Sequence, residues 1–151
     1  MFYIRPTLNN LSQGERLKYV RELRHMSKDD AAEYFDLGGE RKNRTICRYE
    51  NNSRIPSKER LEELANLYEV SINAIKNYDF VDPMDFVYSE MWKEEEFPYC
   101  EINIGESNYR GTDYNTKVIK GLNMWKEMKR KRENNEISFE EYIEWKLNFE
   151  L

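Results

Sequence analysis

Residues that begin and end helices divide the N-terminal half of the sequence into short segments. Ser12, Ser27, Ser57 and Ser71 each precede a run with apolar residues at helical spacing. Serine is favoured before a helix because its hydroxyl accepts hydrogen bonds from backbone N–H groups that the first turn leaves unpaired. Pro56 prevents a helix from continuing into the segment that follows it. These limits predict several short helices rather than a few long ones.

Apolar spacing predicts five helices within residues 1–78. The clearest pattern is a stripe that repeats every three or four residues, formed by Leu61, Leu64, Ala65 and Tyr68. The other four helices are expected near residues 12–26, 27–35, 42–51 and 71–78. Five short helices with brief turns predict an orthogonal bundle, in which the second and third helices are a candidate helix-turn-helix.

The third of these segments has two different faces. Ile46 and Tyr49 share one face, which predicts core contacts, and Arg44 and Arg48 share the opposite one. The two arginines could belong to a binding surface or only to the solvated face of a surface helix. Glu50 is expected to bind a neighbouring cation or backbone group rather than to act in catalysis.

Charge is distributed unevenly along the chain. Residues 1–78 hold 14 Lys and Arg against 12 Asp and Glu, a net +2, whereas residues 79–151 hold 10 against 17, a net −7. Such an asymmetry suggests that the two parts do different work. We therefore expect two domains, 1–78 and 79–151. The chain also has 21 aromatic residues, which argues against wholesale disorder.

Four segments follow one another over residues 13–78: GERLKYVRELR, MSKDDAAEYF, TICRYENN and IPSKERLEELANLYEVSINAI. Together they resemble the XRE-type, phage-repressor and Cro-like family of helix-turn-helix proteins. The resemblance implies a five-helix, lambda-repressor-like DNA-binding domain. It also implies a protein that is usually dimeric on its operator, with the second helix of the motif in the major groove.

The resemblance assigns functional roles to individual residues of this sequence. Base-edge contacts fall on Asn43, Arg44 and Arg48, and arginine and asparagine are the side chains that bind guanine and adenine through two hydrogen bonds. Phosphate contacts fall on Lys28 and Asn51. The neighbouring cations Arg41, Lys42 and Arg54 are further candidates for phosphate contacts, although Arg54 could equally be a plain surface cation. The connection over residues 38–45 is longer than the turn of about four residues that such motifs usually have. Either the loop is longer or the recognition helix gains a turn at its start.

Residues 79–151 predict a mostly helical region that ends in a helical hairpin. A helical stripe includes Val118, Leu122 and Trp125, and Ser138 with Glu141 is typical of a capping box that begins the last helix. Before the hairpin we expect a connection over 79–85, a short helix over 84–92, a charged stop at 93–96 and a lone strand over 99–104. The basic run 129–132 is expected to end a helix rather than to bind nucleic acid.

Several function classes lack their signals in this sequence. His25 is the only histidine, Cys47 and Cys100 are far apart, and the sequence has no glycine-rich phosphate loop. We therefore expect no enzyme, no metal and no cofactor. No apolar stretch approaches the roughly 18 residues that a membrane helix needs, and no signal peptide is visible, so a cytoplasmic location is expected.

Two hypotheses for function follow. The first is a sequence-specific transcriptional regulator, a repressor from a phage or mobile element, that binds double-stranded operator DNA as a homodimer. The alternative is a mobile-element inhibitor, similar to some anti-CRISPR proteins. Its acidic residues 79–151 would bind a host nucleic-acid enzyme by imitating the charge of nucleic acid, and its helix-turn-helix would serve autoregulation. The aromatic residues of 79–151 could form a dimerisation surface, a second core or a docking face.

Overall fold

The structure, a computed structural model, describes residues 5–35, 43–97 and 112–151 of the chain. Over these residues every regular element is an α-helix, which confirms the prediction of a mainly α fold. The described helices are, in chain order, α1 (Gln13–Leu23), α2 (Lys28–Tyr34), α3 (Arg44–Glu50), α4 (Lys58–Tyr68), α5 (Ile72–Ile75), α6 (Pro83–Glu96), α7 (Asp113–Glu133) and α8 (Phe139–Asn148).

The chain divides into two compact units, Met1–Asn77 and Tyr78–Leu151. Helices α1 to α5 belong to the first unit, and α6 to α8 belong to the second. Arg41, Lys42, Cys100 and the strand expected over 99–104 lie outside the described residues.

Serine side chains begin four of the five helices that the structure describes in the first unit. The hydroxyls of Ser12, Ser27, Ser57 and Ser71 each accept a hydrogen bond from a backbone N–H two or three residues later. Only α3 begins without a side-chain cap among these five helices. The short helices that the sequence predicts therefore follow from local hydrogen bonding at each start.

Two arginines, one within α1 and one just after its last residue, close the ends of other helices. The guanidinium of Arg16 is buried and donates to the backbone oxygens of Ala74 and Lys76, at 2.8 Å each. Arg24 donates to the backbone oxygen of Tyr68 at 2.7 Å. The last carbonyls of a helix have no partner within it, so these bonds join α1 to the ends of α5 and α4.

Gly14 lets the first turn of α1 approach the end of α3 closely. Its backbone N–H donates to Oδ1 of Asn52 at 2.8 Å, and Nδ2 of Asn52 donates to the hydroxyl of Ser12 at 3.1 Å. A Cβ atom on Gly14 would lie 2.3 Å from the backbone oxygen of Glu50. No larger residue therefore fits here unless α1 and α3 move apart.

Helix α6 begins one residue earlier than the sequence indicates. The segment 79–85 is a connection only as far as Asp82, because α6 begins at Pro83. The carboxylate of Asp82 accepts a hydrogen bond from the N–H of Met84 at 2.8 Å. Proline is favoured at the first helical position, where its missing N–H costs nothing.

Helix α6 includes the charged run 93–96 and ends at Glu96, so the helix end predicted at Trp92 is four residues too early. Glu94 and Glu95 are buried, and the ammonium of Lys146 lies between them. A run of acids typical of a solvated stop is compatible with a buried helix end here, because a cation from α8 neutralises it.

The final two helices form the predicted hairpin. Trp125 of α7 is buried, Asn135 adopts a left-handed conformation in the turn with φ 58°, and Ser138 caps α8 by accepting from the N–H of Glu141 at 3.0 Å. The basic run 129–132 lies in the last turns of α7, as predicted.

A buried polar network joins α6, α7 and α8. Oε1 of Glu94 accepts from the hydroxyl of Tyr142 at 2.8 Å and from Nζ of Lys146 at 3.0 Å, and Lys146 also donates to Glu95 at 2.6 Å. The indole N–H of Trp125 donates to the Tyr142 oxygen at 2.9 Å. Burial alone would raise the pKa of Glu94, but the charge and hydrogen bond of Lys146 and the Tyr142 hydroxyl hold that pKa below its ordinary value.

This network makes the stability of the second unit dependent on pH. The folded-state pKa of Glu94 lies below the ordinary value of about 4.3. Ionised Glu94 therefore contributes its full stabilisation of the folded state above about pH 4.3. It is lost as the pH falls through the lowered pKa. We expect Glu94→Gln to lower the free energy of unfolding at pH 7 by about 1.5–3 kcal/mol. The free energy of unfolding of this variant should also change less as the pH is lowered.

Tryptophan fluorescence during urea unfolding measures this effect selectively, because all three tryptophans belong to the second unit. The matched control is Glu90→Gln, which removes an exposed pair with Lys93 and should cost no more than about 0.5 kcal/mol. Two results would show that ionised Glu94 does not stabilise the second unit. One is an equal loss of unfolding free energy in the two variants, and the other is an unchanged pH dependence of stability in Glu94→Gln.

The close approach at Gly14 generates a second prediction. Alanine forms helices better than glycine by up to about 1 kcal/mol, so a site without steric conflict would gain stability from Gly14→Ala. We expect a loss of about 1–3 kcal/mol instead, because the new methyl group forces the end of α3 away from α1. Urea unfolding followed by far-ultraviolet circular dichroism, with Lys18→Ala on the same helix as control, gives the measurement. A gain in stability would show that the backbone oxygen of Glu50 moves aside at no cost.

Candidate nucleic-acid interface

Helix α3 presents two cations on the side opposite its core contacts. Ile46 and Tyr49 are buried, whereas Arg44 is exposed and Arg48 is half-buried. Within the part of the chain that the structure describes, neither guanidinium takes part in a hydrogen bond or an ion pair. The two side chains, four residues apart, therefore lie one turn from each other and are available to an external anion or acceptor.

Asn43, the residue before α3, is tied to the start of α2. Its Nδ2 atom donates to Oδ1 of Asp29 at 2.9 Å, and its Oδ1 atom lies 3.9 Å from the thiol of Cys47. An ionised carboxylate only accepts hydrogen bonds, so the bond to Asp29 determines which way the amide points. The sequence alone did not identify Asp29 as a neighbour of this site. Lys28, beside Asp29, is half-buried at the first position of α2.

The other end of α3 carries two further residues that the sequence assigned to phosphate contacts. Asn51 ends the helix, and its Oδ1 accepts from the backbone N–H of Ser53 at 2.9 Å and from the Ser53 hydroxyl. Arg54 is exposed, and its N–H donates to the backbone oxygen of Arg48 at 3.1 Å. The structure thus places Asn43 at the start of α3 and Lys28 next in sequence to Asp29, the residue that Asn43 bonds to. Asn51 and Arg54 lie just beyond the end of α3.

A buried ion pair holds α3 against α1. Nε and Nη2 of Arg21 each lie 2.8 Å from one carboxylate oxygen of Glu50, and Nη1 of Arg21 donates to the backbone oxygen of Met26 at 2.7 Å. Burial alone would lower the pKa of Arg21, but the hydrogen bond and charge of Glu50 raise it. The prediction that Glu50 binds a neighbouring cation is confirmed.

The described residues contain no group of three or more His, Cys, Asp and Glu side chains that could hold a metal ion. Cys47 has a free, half-buried thiol. As far as the structure describes the chain, none of its helices combines the length and the apolar character needed to cross a membrane.

Comparison with known families agrees with this geometry. Residues 17–75 match a family model described as helix-turn-helix, which confirms the XRE-type motif predicted over residues 13–78. Searches of curated proteins and of solved structures gave no match. Helices α2 and α3 lie within the matched range, so the segment 17–75 is an XRE-type helix-turn-helix domain, the DNA-binding part of a transcription regulator.

Proposed function

We propose that this protein represses transcription by binding a specific double-stranded operator as a homodimer, and that it serves a phage or another mobile element. The observation that carries the proposal is the pair of cations on α3. Arg44 and Arg48 face away from the buried Ile46 and Tyr49 and have no partner among the described residues.

In this proposal α3 lies in the major groove, and its two arginines contact base edges. Guanine presents two acceptors there, N7 and O6, which match the paired donors of a guanidinium. Because Arg44 and Arg48 break no internal ion pair on binding, their full donor capacity is available to the DNA. A cation already held by a carboxylate of the protein would lose much of that advantage.

Asn43 is the third proposed base contact. One N–H of its amide is held by Asp29, and the oxygen accepts a weak hydrogen bond from the thiol of Cys47 at 3.9 Å. The second N–H and the second lone pair of the oxygen remain for a base. An asparagine that offers one acceptor and one donor matches the N6 and N7 atoms of adenine. Asp29 then serves to orient the amide before DNA arrives.

The proposed phosphate contacts lie around this reading helix. Lys28, Asn51 and Arg54 surround the two ends of α3, and Arg41 and Lys42 are added from the sequence alone. Contacts of this kind position a protein on the duplex without reading its sequence. They also make affinity fall as salt rises, because each neutralised phosphate releases counterions.

A homodimer would place two copies of α3 in successive major grooves, about 34 Å apart, on an operator with two-fold symmetry. Repression follows if that site overlaps a promoter. The proposal gives no residue a catalytic role, requires no cofactor and locates the protein in the cytoplasm.

Alanine variants separate base reading from phosphate binding. The operator is first selected from a random duplex library with the wild-type protein. On that duplex we expect Arg44→Ala or Arg48→Ala to cost about 1–3 kcal/mol and to relax the preference at one position, with little effect on a scrambled duplex. Binding is followed by fluorescence anisotropy over a series of salt concentrations.

Arg54→Ala is the matched control, since it removes an exposed arginine just beyond α3. It should weaken binding to both duplexes equally and reduce the salt slope by about 1. Equal losses on the two duplexes for Arg44→Ala and Arg48→Ala would exclude base reading by α3. Failure of the wild type to select any sequence would exclude the proposed function as a whole.

The net charge of −7 over residues 79–151 favours a second candidate function. An acidic module can bind a basic protein by imitating nucleic acid, and such association weakens steeply with salt. In this alternative the second unit disables a nucleic-acid enzyme of the host, and the helix-turn-helix regulates the protein's own synthesis.

Affinity capture from a bacterial host extract tests the alternative, with the full chain as bait and nuclease present to remove bridging nucleic acid. A stoichiometric nucleic-acid enzyme that is lost as salt rises, and whose activity the chain inhibits, is the expected result. A bait in which Glu140, Glu141, Glu144 and Glu150 are changed to Gln should capture less of it. Equal capture by both baits would contradict charge imitation.

A further inference from the structure

An open groove runs along the hairpin of the second unit and has a volume of about 490 Å³. Five of its six lining residues lie on one face of α7, and the sixth lies on α8. They are Lys120, Asn123, Met124, Glu127, Met128 and Trp145. The two methionines and the tryptophan give the groove an apolar floor. Half-exposed apolar strips of this kind are typical of surfaces that bind another protein.

The groove carries one cation and one anion, so the groove of one copy can match the groove of a second copy in charge. Lys120 and Glu127 are both exposed, both line the groove, and lie seven residues apart, so they occupy the same side of α7 two turns from each other. If a second α7 lies antiparallel to the first about a two-fold axis between residues 123 and 124, each Lys120 faces the Glu127 of the other copy. Two opposite-charge contacts then flank the methionines.

The position of this axis agrees with the length of the helix. Helix α7 extends from Asp113 to Glu133, and its middle residue is Asn123. An antiparallel pair centred there overlaps almost from end to end, over a helix length of about 31 Å. An axis placed elsewhere would separate the charges and leave part of each helix unpaired.

The same axis also brings like charges together at two symmetry-related places, because Lys117 of each copy faces Arg130 of the other. Both cations already have partners within their own chain. Nζ of Lys117 lies 3.1 Å from Asp113, and Nη2 of Arg130 lies 2.7 Å from Glu127 and 3.3 Å from Glu136. The repulsion is therefore reduced by neighbouring carboxylates. Glu127 is itself paired with Arg130 on the exposed surface, and in the dimer its carboxylate is shared between Arg130 and the Lys120 of the other copy, while Arg130 keeps its contact with Glu136.

We propose that this groove binds a second copy of the chain, with the two α7 helices antiparallel and Met124 near the two-fold axis. This inference deepens the proposed function, because it rests on the homodimer proposed there and gives that dimer a surface. An isologous interface requires a patch that complements itself, and the groove meets that requirement. The resulting dimer forms without DNA.

Charge reversal tests the pairing in the full chain without DNA, by sedimentation equilibrium over a range of concentrations. Lys120→Glu places two acids opposite each other, and Glu127→Lys places two lysines opposite each other. Each variant alone should dimerise at least about tenfold more weakly than the wild type. The double variant with both changes should recover dimerisation, since its charges are complementary again.

Mixing the two single variants provides a sharper measurement. A Lys120→Glu chain offers two acids and a Glu127→Lys chain offers two lysines, so the mixture should form heterodimers although each variant alone is largely monomeric. Energy transfer between differently labelled chains detects them. Lys126→Glu is the control, because Lys126 is exposed on α7 but does not line the groove; its dimerisation should match the wild type.

A wild type that stays monomeric at about 100 μM, or a mixture that fails to associate, would overturn the inference and leave another protein to cover the groove. Tryptophan fluorescence checks that every variant is folded. The DNA titration keeps the two proposals apart. Specific DNA binding without charge-dependent dimerisation refutes only the α7 pairing, and charge-dependent dimerisation without sequence selection refutes only the DNA-reading role.

Discussion

The buried ion pair between Arg21 and Glu50 is the contact on which the orientation of α3, the proposed reading helix, most depends. Helix α3 has only seven residues, and a helix of two turns is unstable by itself because nucleation costs more than so few hydrogen bonds return. Its direction must therefore come from the rest of the unit. Two parallel hydrogen bonds of 2.8 Å hold its last residue to α1, and a bidentate pair restricts rotation more than a single contact does.

The contacts around this ion pair also hold α3 against α1. Ile46 and Tyr49 bury one face of α3, Asn52 bonds to the first turn of α1, and Gly14 leaves room for both. The internal side of α3 is thus fully engaged. Its outer side carries cations without partners among the described residues, which is the arrangement that a helix needs in order to offer its charge to a ligand.

Local chemistry explains why so much of the first unit was predictable from its sequence. A serine that precedes an apolar stripe determines where a helix begins, and the repeat of the stripe determines which side is buried, so Ile46 and Tyr49 could be assigned without coordinates. Partners distant in sequence could not be assigned this way. Arg21 lies 29 residues from Glu50 and Asp29 lies 14 from Asn43, and no periodic pattern relates them.

The second unit shows why charged residues mislead sequence analysis most. The acids at the end of α6 look solvated, yet Lys146 enters the core to meet Glu94 and Glu95. In the same way Lys129 lies 3.3 Å from Glu94, and Arg130 is held by Glu127 and Glu136. These cations of the second unit form ion pairs with carboxylates of the same unit, whereas Arg44 and Arg48 form no ion pair with any described residue. Charge that is already neutralised attracts little, so Lys129 and Arg130 at the end of α7 have less to offer a nucleic acid than Arg44 and Arg48 of α3, in keeping with the proposed role of α3.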